Sequence, residues 1–120
     1  GDVIVGAHGG TANNGYTRIF FGQATPLTAT LPTHAAYSVL GEFVGHQFGR
    51  GTTGTDINGD GYPDLMVGAN FFATVSTVGN TGRAYIFHSS GTGPIISAAA
   101  SANRIISGLA GTEFGYSFNR

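Results

Sequence analysis

Short apolar or aromatic-rich runs, each three or four residues long and separated by Gly, Thr, Asn and Ser, set the pattern of this chain. Val3-Ile4-Val5 and Leu65-Met66-Val67 are compact apolar runs of the kind found in strands buried on both faces. Arg18–Phe21 and Ala84–Phe87 are rich in aromatic and β-branched residues, which suit a pleated surface. A Gly/Thr-rich run before residue 56 reads as one more strand. The Ala98–Ala102 run carries no continuing 3.6-residue apolar stripe, so it reads as a loop leading into a strand at Arg104–Ile106. The pattern predicts an all-β chain of about four strands per repeat unit with no helix.

The chain repeats itself. Gly1–His8 matches Pro63–Asn70 at an offset of 62, and Gly15–Phe20 matches Gly82–Phe87 at an offset of 67. Val39-Leu40 with Gly45–Gly49 matches Ile105-Ile106 with Gly111–Gly115 at an offset of 66. Three anchors recur in one order. The loop between the first two is five residues longer in the second copy.

One segment stands out from the strands. Asp56-Ile57-Asn58-Gly59-Asp60-Gly61-Tyr62-Pro63-Asp64 places oxygen side chains at its first, third, fifth and ninth positions. Tyr62, at the seventh, offers a backbone carbonyl, and Gly61 permits the sharp turn. This is the spacing of a Ca²⁺ loop. Three of the six acidic residues crowd into it, an arrangement that repels itself without a cation. The twelfth position is Val67 rather than a Glu, and the flanks read as strands, so the loop is not an EF-hand. The expected ligands are the side chains of Asp56, Asn58, Asp60 and Asp64 with the Tyr62 carbonyl. The alternative is a metal-free polar turn, since Asn-Gly and Asp-Gly are common turn dipeptides.

Composition narrows the rest. Only 9% of the 120 residues are charged, there is no Lys, and the net charge is −1, which one Ca²⁺ would make +1. No basic patch is available to hold a nucleic-acid backbone. No apolar run approaches a membrane span. Without cysteine, neither a disulfide framework nor a thiolate metal site can form. Gly49–Gly54 fits G-x-G-x-x-G, but an acidic loop follows where a dinucleotide site needs a helix. His8, His34, His46 and His88 lack metal-ligand spacing, and Glu42 and Glu113 lack a paired carboxylate. Nothing in the sequence points to an enzyme.

Phe48-Gly49, the Asp56–Asp64 loop and Asp64–Asn70 together resemble the FG-GAP repeat, the blade unit of integrin-α-like β-propellers. Asn70, and His8 in the first copy, stand where that family often has Pro. The resemblance implies four-stranded antiparallel blades, about two per chain, with the Ca²⁺ loop between a blade's first and second strands. On that map, residues 1–45 are a partial blade, 46–110 a complete blade, and 111–120 the first strand of the next, near Phe114–Phe118. The chain thus starts and ends within a blade. Asp2 stands where Asp64 stands and is a second-site candidate. Pairing of 114–118 of one copy with 2–5 of another would complete a shared blade, in a ring or a filament. The same pairing would occur within one polypeptide if the chain is an excerpt of a longer propeller.

The implied function is a calcium-stabilised extracellular or cell-surface module for binding or adhesion. A self-assembling structural subunit and a carbohydrate-binding propeller are the alternatives. Phe71, Phe72, Val75 and Val78 lie in the long loop Asn70–Gly82, which is too apolar for a solvated turn. They are expected either to meet a partner or to pack locally over the adjacent blade.

Overall fold

The computed structural model describes residues 2–9, 14–22, 37–73, 79–90 and 98–118. Among the described residues, seven strands form two antiparallel sheets. The first contains β1 (Val3–Ala7), β2 (Tyr16–Phe20) and β3 (Tyr37–Leu40), in that order. The second contains β4 (Phe48–Thr55), β5 (Asp64–Ala69), β6 (Arg83–Phe87) and β7 (Arg104–Ser107). Every strand pairs with its sequence neighbour, so each sheet is a simple meander. No α-helix occurs among the described residues; Ala99–Ser101 forms a single 3₁₀ turn with Ala99 buried. Among the described residues the architecture is all-β, with one three-stranded and one four-stranded antiparallel sheet.

The sheets stack face to face. Ile19 and Val39 of the first sheet meet Phe48, Leu65, Val67, Tyr85 and Phe87 of the second in one core. Thr52 pairs with Val67 and Gly54 with Leu65, so these residues share a face. That face meets β1: a Cβ on Gly54 would stand 3.0 Å from Ile4 Cδ1. Strand β5 is buried on both faces, as expected. Strand β1 is not, and this corrects the sequence expectation. Val3 and Val5 are exposed because the first sheet is covered only on its Ile4 side among the described residues.

Close backbone approach joins the sheets. The Gly49 carbonyl lies against Gly6, where any Cβ would overlap it, and the Gly115 carbonyl lies against Gly68 in the same way. Phe114-Gly115 therefore sits on the second sheet as Phe48-Gly49 sits on the first. The segment expected as a strand at Phe114–Phe118 nevertheless makes only one isolated bridge, Phe114 with Gly82, and is no strand here. A ladder needs a neighbouring strand with an open edge, and β5, beside which this segment lies, already pairs with β4 and β6. Gly68→Ala is expected to lift this segment off β5. Limited proteolysis should then cut within 111–118 faster, whereas an unchanged cleavage rate would count against the docking.

Register also refines the repeat. Thr17 pairs with Val39 and Ala84 with Ile106, so Val39 corresponds to Ile106 rather than to Ile105. The offset of 67 thus persists through the third strand and falls to 66 only in the turn before Phe48 and Phe114. Gln47 and Glu113 mark that turn in both copies: each holds a positive φ, 58° and 48°, uncommon for a residue with a Cβ.

Candidate metal centre

The Asp56–Asp64 loop joins β4 to β5 at one end of the second sheet. Asp56 organises its tip. One carboxylate oxygen accepts the N–H groups of Gly59 (2.7 Å) and Asp60 (3.1 Å), and the other accepts that of Gly61 (2.9 Å). Asn58 Oδ1 accepts the Asp60 N–H at 3.0 Å, and its amide donates to Asp60 Oδ2 at 2.8 Å. Asp60 Oδ1 accepts the Tyr62 N–H at 2.8 Å. Gly61 has φ 88°, a conformation that disfavours a side chain. Asp56, Asn58 and Asp60 are thus drawn into one turn, and the Tyr62 side chain stays exposed.

Asp64 is placed differently. It begins β5 and is buried at the base of the loop. Its Oδ2 accepts the Ile57 N–H at 3.0 Å, and its Oδ1 accepts the Ser89 N–H at 2.9 Å. His88 Nδ1 lies 3.2 Å from Oδ2; the carboxylate accepts, so that nitrogen carries the proton. Burial alone would raise the Asp64 pKa. The Ser89 and Ile57 N–H groups and the His88 ring outweigh it and hold the carboxyl below its ordinary value. Sequence spacing pointed to Asp64 as a ligand; its anchoring of the β5–β6 end through His88 and Ser89 was not visible there.

Among the described residues, no three carboxylate, imidazole or thiolate side chains stand together as a ready ligand cluster. The loop mixes carboxylates with an amide and a carbonyl, so its donors are all oxygen. That set fits a hard cation such as Ca²⁺ and does not suit Zn²⁺ or Cu²⁺. Asp2, the second-site candidate, lies on the first sheet. Its Oδ1 accepts the Gly22 N–H at 2.9 Å, the counterpart of the Asp64–Ser89 contact. The Gly49–Gly54 run lies within β4, away from any helix N-terminus.

The opposite end of the sheets carries a cluster that the sequence did not announce. Phe72 is buried, with its ring 4.8 Å from His46 and 6.1 Å from Phe43. Arg83 lies over it, 3.5 Å from the centroid, and approaches Glu42 at 3.8 Å. Phe72 therefore packs over the connector between the sheets. Phe71 is half-buried, and its N–H donates to the His46 carbonyl. Val75 and Val78 lie outside the described residues. Burial, then the nearby Arg83 charge, lowers the His46 pKa, with Glu42 opposing. Burial and Glu42 push the Tyr85 hydroxyl up to about 12.

Comparison with known proteins agrees with this geometry. Residues 48–87, from the start of β4 through β6, match the FG-GAP repeat model. Over 89 residues, 72% of this chain, the sequence is 33% identical to integrin alpha-5 of Xenopus laevis. The chain belongs to the FG-GAP repeat family. It spans 8% of the length of that integrin subunit.

Proposed function

We propose that this chain is a calcium-stabilised propeller segment of an extracellular or cell-surface protein, serving binding or adhesion rather than catalysis. The observation that carries the reading is the Asp56–Asp64 loop. Its oxygen donors are gathered at one end of a blade within the stretch that matches the FG-GAP repeat. Asp56, Asn58 and Asp60 would hold the ion through side-chain oxygens, Tyr62 through its carbonyl, and Asp64 from the loop base. Bound Ca²⁺ would supply the positive charge that offsets three crowded carboxylates. The resemblance to integrin alpha-5 supports the adhesion class and the extracellular setting. In that setting the opposite end, with Phe71 and the Asn70–Gly82 connector, is where a partner would be met.

Calorimetric titration of the chain with Ca²⁺ tests the reading. One site is expected. With a Kd on the order of 10⁻⁴ M and Ca²⁺ on the order of 10⁻³ M, binding adds roughly 1.4 kcal/mol to stability. Asp60→Ala should remove the heat of binding and the rise in melting temperature. An Asp60→Ala protein that binds Ca²⁺ as tightly as the parent would exclude this loop as the site.

A further inference from the structure

We infer that Asn58-Gly59, at the tip of the acidic loop, is a site of spontaneous covalent modification. The Gly59 nitrogen closes on the Asn58 side chain and converts it to aspartate or isoaspartate. The chain contains two Asn-Gly pairs, Asn14-Gly15 and Asn58-Gly59. In such a pair no side chain shields the glycine nitrogen or limits its backbone. The fold treats the two pairs in opposite ways. Asn58 and Gly59 are exposed, and a Cβ on Gly59 would meet nothing within 4 Å. Gly15 is buried, and a Cβ there would overlap the Phe48 carbonyl. The Asn14 amide donates to the Gly41 carbonyl at 3.0 Å and to the Glu42 carbonyl at 3.4 Å. Asn14 cannot turn onto the Gly15 nitrogen without giving up both bonds.

Around Asn58 the hydrogen bonds serve the reaction. Asn58 Oδ1 accepts the Asp60 N–H at 3.0 Å, which curls the side chain back over the intervening Gly59 peptide. The same N–H draws charge from the side-chain carbonyl and supports the oxygen that turns negative on attack. Asp56 Oδ1 accepts the Gly59 N–H at 2.7 Å, so an acceptor already stands at the proton that must leave. Asp60 Oδ2 holds the departing amide nitrogen at 2.8 Å. The bond from Gly59 N to Asn58 Cγ forms, and the Cγ–Nδ2 bond breaks. The displaced NH₂ takes up the Gly59 proton, by way of Asp56, and leaves as ammonia. Water then opens the five-membered imide at either carbonyl. One opening gives aspartate; the other gives isoaspartate, with the chain running through the side-chain carbon.

The reaction needs no ion, whereas its effect on Ca²⁺ rests on the function proposed above. Aspartate at position 58 keeps the loop spacing and adds a carboxylate to the three already there. Isoaspartate adds a backbone carbon between positions 58 and 59. Asp60, Tyr62 and Asp64 then lose their spacing from Asp56, and position 58 loses its donor arm. The isoaspartyl form should therefore no longer hold the ion, so the loop records the age of the protein in its capacity for Ca²⁺.

Peptide mapping by mass spectrometry is the test. The 120-residue chain is kept warm at mildly alkaline pH with EDTA, and the exchange of NH₂ for OH is followed at each asparagine. In the folded chain Asn58 should convert, and Asn14 should convert roughly ten-fold more slowly, a barrier matching its two hydrogen bonds. In guanidinium chloride the two rates should converge. Equal rates in the folded chain, or an Asn58 that stays intact there while the denatured chain reacts, would overturn the proposal. Isoaspartyl chains, identified by enzymatic methylation, should give no heat on titration with Ca²⁺. Binding as tight as in the unconverted chain would overturn that consequence. If the unconverted chain gives no heat either, the calcium reading fails, and the covalent site is decided by the mapped rates alone.

Discussion

Phe48→Ala should destabilise the fold by about 3–5 kcal/mol, while Phe114→Ala at the equivalent repeat position should cost only about 1 kcal/mol. Phe48 opens β4 at the junction of the sheets. Its ring meets Tyr85 edge-on, with centroids 5.3 Å apart, and its Cβ backs onto Gly41. It is buried, so truncation removes contacts on every side and leaves a cavity that the close glycine approaches hold open. Phe114 occupies the same place on the next turn of the repeat but is 40% exposed. Water already covers much of it. A folded domain is commonly stable by only about 5–15 kcal/mol, so the Phe48 loss is a large share. Urea titration of both variants in dilute solution measures the contrast. Equal losses would mean that Phe48 does not hold the two sheets together.

Asp64→Ala should be the most damaging change in the acidic loop even without Ca²⁺. It removes the acceptor for the Ile57 and Ser89 N–H groups and for His88 at a buried site. These donors are only partly buried, so each one left without a partner costs up to about 1 kcal/mol, and the Asp64 site itself is buried. Asp60→Ala in the same calcium-free protein strands only exposed donors and should cost far less. Acid has a related effect. The folded Asp64 pKa lies below the ordinary 3.8, so its contribution is complete above that value. It is then lost as pH falls through the folded pKa, because the unfolded chain binds the proton first. A calcium-free stability curve that stays flat from neutral pH to below 3.8 would show that this carboxylate is not stabilised in the fold.

Much of this was legible in the sequence because strands advertise themselves locally. The Val3–Val5 and Leu65–Val67 runs, the aromatic strands and the acidic loop all fall where the repeat placed them. The errors share one cause. An apolar run reports that a strand forms, but not which neighbours cover it, so Val3 and Val5 looked as buried as Leu65 and Val67. The Phe114–Phe118 segment carries a strand's composition, yet strand formation depends on an open edge that composition cannot show. The Arg83, Glu42, His46 and Phe72 cluster was invisible because three distant segments assemble it. None of those residues has a motif of its own.

The extra five residues of the second copy fall between Ala69 and Arg83, where the chain leaves and rejoins the sheet. Their neck is tied shut: the Phe72 carbonyl accepts the Thr81 N–H, the Gly82 N–H and the Thr81 hydroxyl. That knot closes the base of the connector beside the pairing of β5 with β6. The fold therefore separates two jobs by position. One end is fixed by chemistry, and the other can lengthen or change its sequence while the register below stays the same. A blade of this kind can change the length of one connector while the ladder that sets its strand register keeps its pairs.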